Sequence, residues 1–151
     1  MFSWSLSLLI VFGILIDQGS KVLAEARLSF YSALEMIPSV LSLQLVHNYG
    51  AAYGIFQDKR VFLLATSILV IGACILFQKQ LGTTVWSRFG VSFLMMGAAG
   101  NFLDRLFRGF VVDFIDIRIV PVFNFADIFI NVSIVLFLLD LIKSRDTSRI
   151  R

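Results

Sequence analysis

The sequence predicts an all-α integral membrane protein: four transmembrane helices, with a small extended, β-like patch and a short interfacial helix outside the membrane. Three observations carry this. Hydrophobic residues make up 58% of the chain and charged residues only 15%, a balance too apolar for a soluble domain. The mean hydropathy of +0.89 and the sixteen Phe point the same way. The apolar residues fall in four segments, and most polar residues gather between them. At 151 residues the chain reads as one domain, 1–151.

The first span is Phe2 to Leu23 (2–23). It has no basic n-region or small-residue cleavage site, and it is too long for the apolar core of a signal peptide. About 20 helical residues cross a ~30 Å hydrocarbon core. Asp17 and Lys21 lie four apart near its end, on one helix face. A salt bridge at the interface, with Lys21 snorkelling to the headgroups, is the simplest role for them.

Ala24 to Arg60 reads as a long loop of mixed polarity. Tyr31 to Ile37 is expected to form the short interfacial helix, ended by Pro38. The run SLQLVHN alternates in the manner of a strand. HNYGAAYG follows, with Gly50 and Gly54 where the backbone turns or approaches closely. Asn48 carries an amide that both donates and accepts, suited to holding a peptide.

The second span is Val61 to Phe77 (61–77), and the polar loop Gln78 to Arg88 leads to the third, Phe89 to Leu103 (89–103). The third is short, and Gly97, Ala98, Ala99 and Gly100 near its end allow another helix to pack closely. The fourth span is Phe125 to Ile142 (125–142), with Asp127 in its first turn. Asp140 in its last turn is expected to pair with Lys143.

Four spans place both termini on one side. The basic tail (Lys143, Arg145, Arg149, Arg151) and the Lys79/Arg88 loop make that side cytoplasmic. Arg27, Lys59, Arg60, Arg105, Arg108 and Arg118 fall on the other side, so the tail decides the orientation. Asp17, Lys21, Asn48, Asn101, Arg105, Asp113 and Asp127 then all lie at the outer face.

Several function classes are disfavoured. The net charge of +3 has no soluble basic face from which to bind nucleic acid. One His and one Cys do not make a metal site, and Cys74 has no partner for an intramolecular disulfide. There is no glycine-rich phosphate loop, so no nucleotide cofactor is expected. A triad on His47 lacks a serine in a nucleophile elbow.

Gly97 to Asp127 stands apart, with four aspartates, three arginines and two asparagines between two apolar segments. Ionisable groups at a membrane boundary are costly and mark function by default. Asp113 and Asp127 flank an extended segment containing Pro121, which can fold back to bring them together. Two carboxylates sharing a site do not both ionise readily, so one acts as base toward water and the other as acid. Asp104 beside Arg105 and Arg108, and Asp116 beside Arg118, read as local ion pairs. Asn101 and Arg105 share a helix face and suit a clamp on substrate carbonyls. Asn124 suits the same task or a cap on the last helix. From the residues alone, an aspartic hydrolase stands beside a small proton-coupled membrane transporter using the outer-face aspartates, and beside a non-enzymatic scaffold. The transporter predicts acids spread through the membrane depth, whereas Asp140 is the single acid within the inner ends of the four spans.

The ordered set DQGSK (17–21), HNYGAAYG (47–54), GNFLDR (100–105), VVDF (111–114) and FNFAD (123–127) resembles the motifs of the lipoprotein signal peptidases (signal peptidase II) over nearly the whole chain. The resemblance implies a bacterial inner-membrane aspartic endopeptidase. It would remove the signal peptide of prolipoproteins just before a diacylglyceryl-modified cysteine. It implies Asp113 and Asp127 as catalytic residues, Asn48, Asn101, Arg105 and Asn124 as the substrate-binding set, and Asp17 and Lys21 as site-ordering. It also implies an outer sheet-like cradle with a short helix in the Ala24 to Arg60 region, and no metal or other cofactor. The expected partners are lipid-modified prolipoprotein signal peptides, membrane lipids and globomycin-type inhibitors, with no nucleic acid and a monomeric enzyme. Tyr53 stands where the family usually has Phe, and Ser133 where glycine is common; neither touches the two aspartates.

Overall fold

The computed structural model describes residues 4–51 and 55–149. Tyr53 and Gly54 of the glycine-containing loop, Phe2 and the terminal Arg151 lie outside the described residues. Helices occupy all four expected segments: α1 (Trp4–Arg27), α2 (Arg60–Leu76), α4 (Val85–Phe107) and α5 (Phe125–Arg149), with the single turn α3 (Gln78–Leu81) between α2 and α4. Three strands complete the order: β1 (Leu34–Ile37), β2 (Leu41–Asn48) and β3 (Val111–Asp116).

Among the described residues two helices, Trp4–Arg27 and Phe125–Ser144, are long and apolar enough to cross a bilayer. Their outer faces are bare of protein, with Leu8, Phe12 and Leu15 of α1 and Ile134 and Leu138 of α5 exposed. Helix α2 is apolar but has 17 residues. Helix α4 is longer than the expected 89–103, because charge at its ends stops an apolar segment without stopping backbone hydrogen bonding. Its start is held by a capping box, in which Thr84 Oγ1 accepts from the Ser87 N–H and Ser87 Oγ accepts from the Thr84 N–H, both at 3.0 Å. Its C-terminal carbonyls, on Arg105 and Leu106, accept from the Arg60 guanidinium at 2.8 and 3.0 Å.

Helix α4 is central, packed against α1, α2 and α5. The small residues anticipated on it make this closeness possible. A Cβ on Gly97 would collide with the Ala126 carbonyl and Ile130 of α5, and one on Gly100 would meet the Asp17 carboxylate of α1. Asp140 accepts from Thr84 Oγ1 at 2.5 Å, tying the C-terminal half of α5 to the start of α4. Lys143 sits over the Trp86 ring, 5.5 Å from its centroid.

The strands form one antiparallel sheet in the order β1-β2-β3. SLQLVHN is a strand, as its alternation predicts, and VVDFID supplies β3. The short helix expected at Tyr31 to Ile37 is not there: Leu34–Ile37 is the strand β1, paired with β2 through Leu34↔Leu43 and Ile37↔Leu41. A segment this short has little helical stability of its own. A tight turn at Pro38-Ser39, with Ser39 at φ 61°, folds it onto β2, where its backbone groups find partners. The sheet packs on the end of α1 through a cluster of Ala24, Leu45, Val112 and Phe114, which presents β3 to α4 and α5.

Candidate active site

Asp113 projects from the middle of β3, opposite Val46, and is 2% exposed. Asp127 stands in the first turn of α5 and is half-buried. The chain between them folds back, as its extended character allows: Phe123 bonds to Ile115 in both directions, at 2.8 and 3.0 Å, and so lays the start of α5 beside β3. Both carboxylates then line one cleft of about 1500 Å³.

Asn124 joins them. Its Nδ2 donates to Asp113 Oδ1 at 2.6 Å, and its Oδ1 accepts from the Asp127 N–H at 3.0 Å. Asp127 Oδ2 accepts in return from the Asn124 N–H at 3.2 Å. That exchange is a reciprocal cap at the start of α5, with Asp127 at the third helical position. The spacing of NFAD is thus a capping spacing, and the anticipated cap on this helix is present. Asn48 Nδ2 donates to Asp113 Oδ2 at 2.9 Å, and its Oδ1 accepts from the Gly50 N–H at 2.9 Å. Asn101 Nδ2 donates to Asp127 Oδ1 at 2.8 Å. Burial, and next the negative charge of Asp127, push the Asp113 carboxyl up from an ordinary 3.8 to about 7 against the pull of its two amide donors and Lys21.

Behind the carboxylates lies a buried charge cluster. Lys21 Nζ is 2.9 Å from Asp17 Oδ2, 2.8 Å from Asp104 Oδ2 and 3.2 Å from Asn101 Oδ1. The side chains of Asp17, Lys21 and Asp104 are all fully buried. The pairing expected within α1 is present, but Lys21 does not snorkel. Two carboxylates and an amide oxygen surround its ammonium, which removes the need for water. Asp104 also pairs with Arg108 as expected, at 2.5 Å. Its contact with Lys21 was not legible, because that partner lies on another helix 83 positions earlier. Asp116 pairs with Arg118 at 3.5 Å at the sheet's edge, as expected, and accepts from Ser42.

Asn101 lines the cleft, with its amide oxygen accepting from Lys21 and Asn124 and one amide N–H donated to Asp127. Arg105 faces the cleft too. Its Nη2 donates to the Gly50 carbonyl at 2.9 Å, while its Nε is buried without a partner among the described residues. The sole histidine is packed among aromatics: His47 stacks on Phe110 at 3.7 Å and meets Phe30 edge-on at 4.7 Å. Burial, ahead of nearby Arg108, holds it below the usual histidine value despite Glu25 at 3.7 Å. The rest of the cleft is mostly apolar, walled by Leu63 and Val70 of α2, Leu94 and Ala98 of α4, and Val132 and Leu136 of α5, with Thr66, Ser67 and Asn131 among them.

The chain is similar to known proteins over nearly its whole length. A lipoprotein signal peptidase of Clostridium novyi (strain NT) is 39% identical over 142 residues, covering 90% of this chain and 96% of that protein. One from Staphylococcus aureus (strain JH9) is 34% identical over 146 residues, covering 93% and 88%. A bacterial membrane enzyme solved by the in meso method at 2.3 Å superposes with a TM-score of 0.91 at 32% identity, covering 99% of this chain and 93% of that one. These relatives give the transporter reading no support. The family model for signal peptidase (SPase) II matches residues 9–143, and the chain therefore belongs to the signal peptidase II family.

Proposed function

We propose that this chain is a membrane-embedded aspartic endopeptidase that removes the signal peptide from diacylglyceryl-modified prolipoproteins, cutting just before the lipidated cysteine. The observation that carries this reading is the convergence of Asp113 and Asp127 in a mostly apolar cleft. A substrate with acyl chains in the bilayer holds its scissile bond near the headgroups. The mostly apolar walls of α2, α4 and α5 suit the signal helix, and the polar groups around the two acids suit the peptide bond.

The two acids divide the work by their surroundings. Asp127 sits in a helix N-terminal cap, where negative charge is favoured, and opens to the cleft. It is the base: it takes a proton from water as the oxygen attacks the scissile carbonyl. Asp113, buried and raised to about 7, holds a proton and donates a hydrogen bond to the carbonyl oxygen as charge develops there. The tetrahedral species collapses as the C–N bond breaks, and the proton on Asp127 passes to the leaving amine. Arg105, on the wall of the cleft beside both acids, is placed to hold a substrate carbonyl through its guanidinium. The chemistry needs no metal or other cofactor.

In this reading α1, α2, α4 and α5 all span the bacterial inner membrane. Both termini are cytoplasmic, the sheet lies on the outer surface, and the enzyme acts as a monomer. Globomycin-type peptides are candidate inhibitors. The test is cleavage of a diacylglyceryl-modified prolipoprotein by purified Asp113→Asn and Asp127→Asn enzymes in lipid vesicles. Each is expected to lose at least about a hundredfold in rate. A folded variant of either kind that cuts at the wild-type rate overturns the assignment.

A further inference from the structure

We propose that Asp104 is a positioning residue for the two reacting carboxylates, acting together with Asp17 through the Lys21 ammonium they share. The inference rests on Asp113 and Asp127 being the reacting pair.

The geometry is specific to the two acids. Asp104 Oδ2 accepts from the N–H of Val112 at 3.1 Å, the residue just before Asp113. Asp17 Oδ1 accepts from the N–H of Ala126 at 2.8 Å, the residue just before Asp127. The remaining oxygen of Asp17, and the same oxygen of Asp104, lie 2.9 and 2.8 Å from Lys21 Nζ. A third arm runs from Lys21 through Asn101 to Asp127 itself, at 3.2 and 2.8 Å. The backbone entering each acid is therefore clamped by a carboxylate, and one ammonium fixes the spacing between the clamps.

Asp104 has no lone pair left over. Arg108 Nη1 and Gln18 Nε2 donate to Oδ1, while Lys21 Nζ and the Val112 N–H donate to Oδ2. A mere tie between α1 and α4 would need only the Lys21 pair, and buried ion pairs add little stability over apolar packing. What the tie alone leaves unexplained is that both backbone contacts fall one residue ahead of a reacting acid. Moving such an acid by about 1 Å costs roughly a hundredfold in rate.

The experiment compares Asp104→Ala and Asp104→Asn, with Asp140→Asn as a structural control at the other end of α5. Each is purified and measured on a diacylglyceryl-modified prolipoprotein in vesicles, per folded enzyme and across pH. Asp104→Ala is expected to lose about a hundredfold in kcat with KM unchanged. Asp104→Asn keeps an acceptor for the Val112 N–H and is expected to lose only about tenfold. In both, the alkaline limb of the pH profile moves to lower pH, because a relaxed site lets water nearer to Asp113 and weakens its repulsion with Asp127, and burial and that repulsion are what favour its protonated form. Asp140→Asn loses stability with kcat and pH limbs unchanged. Wild-type kcat and pH limbs in folded Asp104→Asn overturn the proposal, whether or not Asp104→Ala folds. Asp113→Asn in the same assay separates the two questions: if it cleaves normally, the dyad itself is wrong, and if it is inactive, only the positioning role is at stake.

Discussion

Asn124 meets Asp113 with its amide nitrogen and the Asp127 N–H with its amide oxygen. Asn124→Ala removes both contacts, leaving the Asp127 N–H uncapped and Asp113 short of one donor. It is therefore expected to cost about 1 kcal/mol in thermal stability and to lower kcat at least tenfold, measured by melting and by peptide cleavage on one preparation. Asp113 makes a second test at this scale. Its folded value, about 7, lies above its ordinary 3.8, so it stabilises the fold fully below the lower value. That contribution is lost as pH rises through about 7. Wild-type melting temperature is expected to fall over this window, and Asp113→Asn to flatten that part of the profile. A flat wild-type profile between the two values would count against the burial of Asp113. Both tests concern groups that the local spacing singled out. Asn124 lies three before Asp127, which is a cap spacing legible in one dimension. What Asn101 does was not legible, since Lys21 occupies its carbonyl from a helix 80 positions away.

The helix α4 shows how an element's length and its packing are read differently. Its apolar stretch was visible and its ends were not, because the Thr84 and Ser87 cap and the polar last turn extend it into charged sequence. Its small residues were legible as a packing face, and the contacts say what they admit. Gly97→Ala would press on the Ala126 carbonyl and Ile130, just beside Asp127. It is expected to cost about 1–3 kcal/mol in detergent unfolding and to lower cleavage as α5 is displaced. Retention of both stability and rate would show that α5 has room to move. The strand β1 illustrates the opposite limit. Leu34–Ile37 has no period long enough to tell helix from strand, and its state was settled by β2 lying alongside.

At the scale of the molecule, the polar cluster, the sheet and the open end of the cleft gather at one end of the helices, and the Thr84–Asp140 contact lies at the other. If the first end faces outward, a cysteine placed at the exposed Tyr31 reacts with a membrane-impermeant maleimide in intact cells. One placed at Gln80 reacts only after the membrane is opened, and the buried Cys74 stays silent in both. Labelling in the reverse order would invert the orientation drawn from the basic tail. The sequence by itself determined the membrane class, the places of four helices, two of the three strands, the family, and Asp113 and Asp127 as the residues to watch. The class, helices and strands follow from composition and periodicity, and the family and the two aspartates from the resemblance carried by five ordered motifs. Only the tertiary structure decided that Lys21 is sealed between two carboxylates, that Asn101 serves Asp127, and that Asp104 grips the backbone ahead of Asp113. Those partners lie far apart along the chain, and an ionisable group's role is set by whichever charges surround it once water has been excluded.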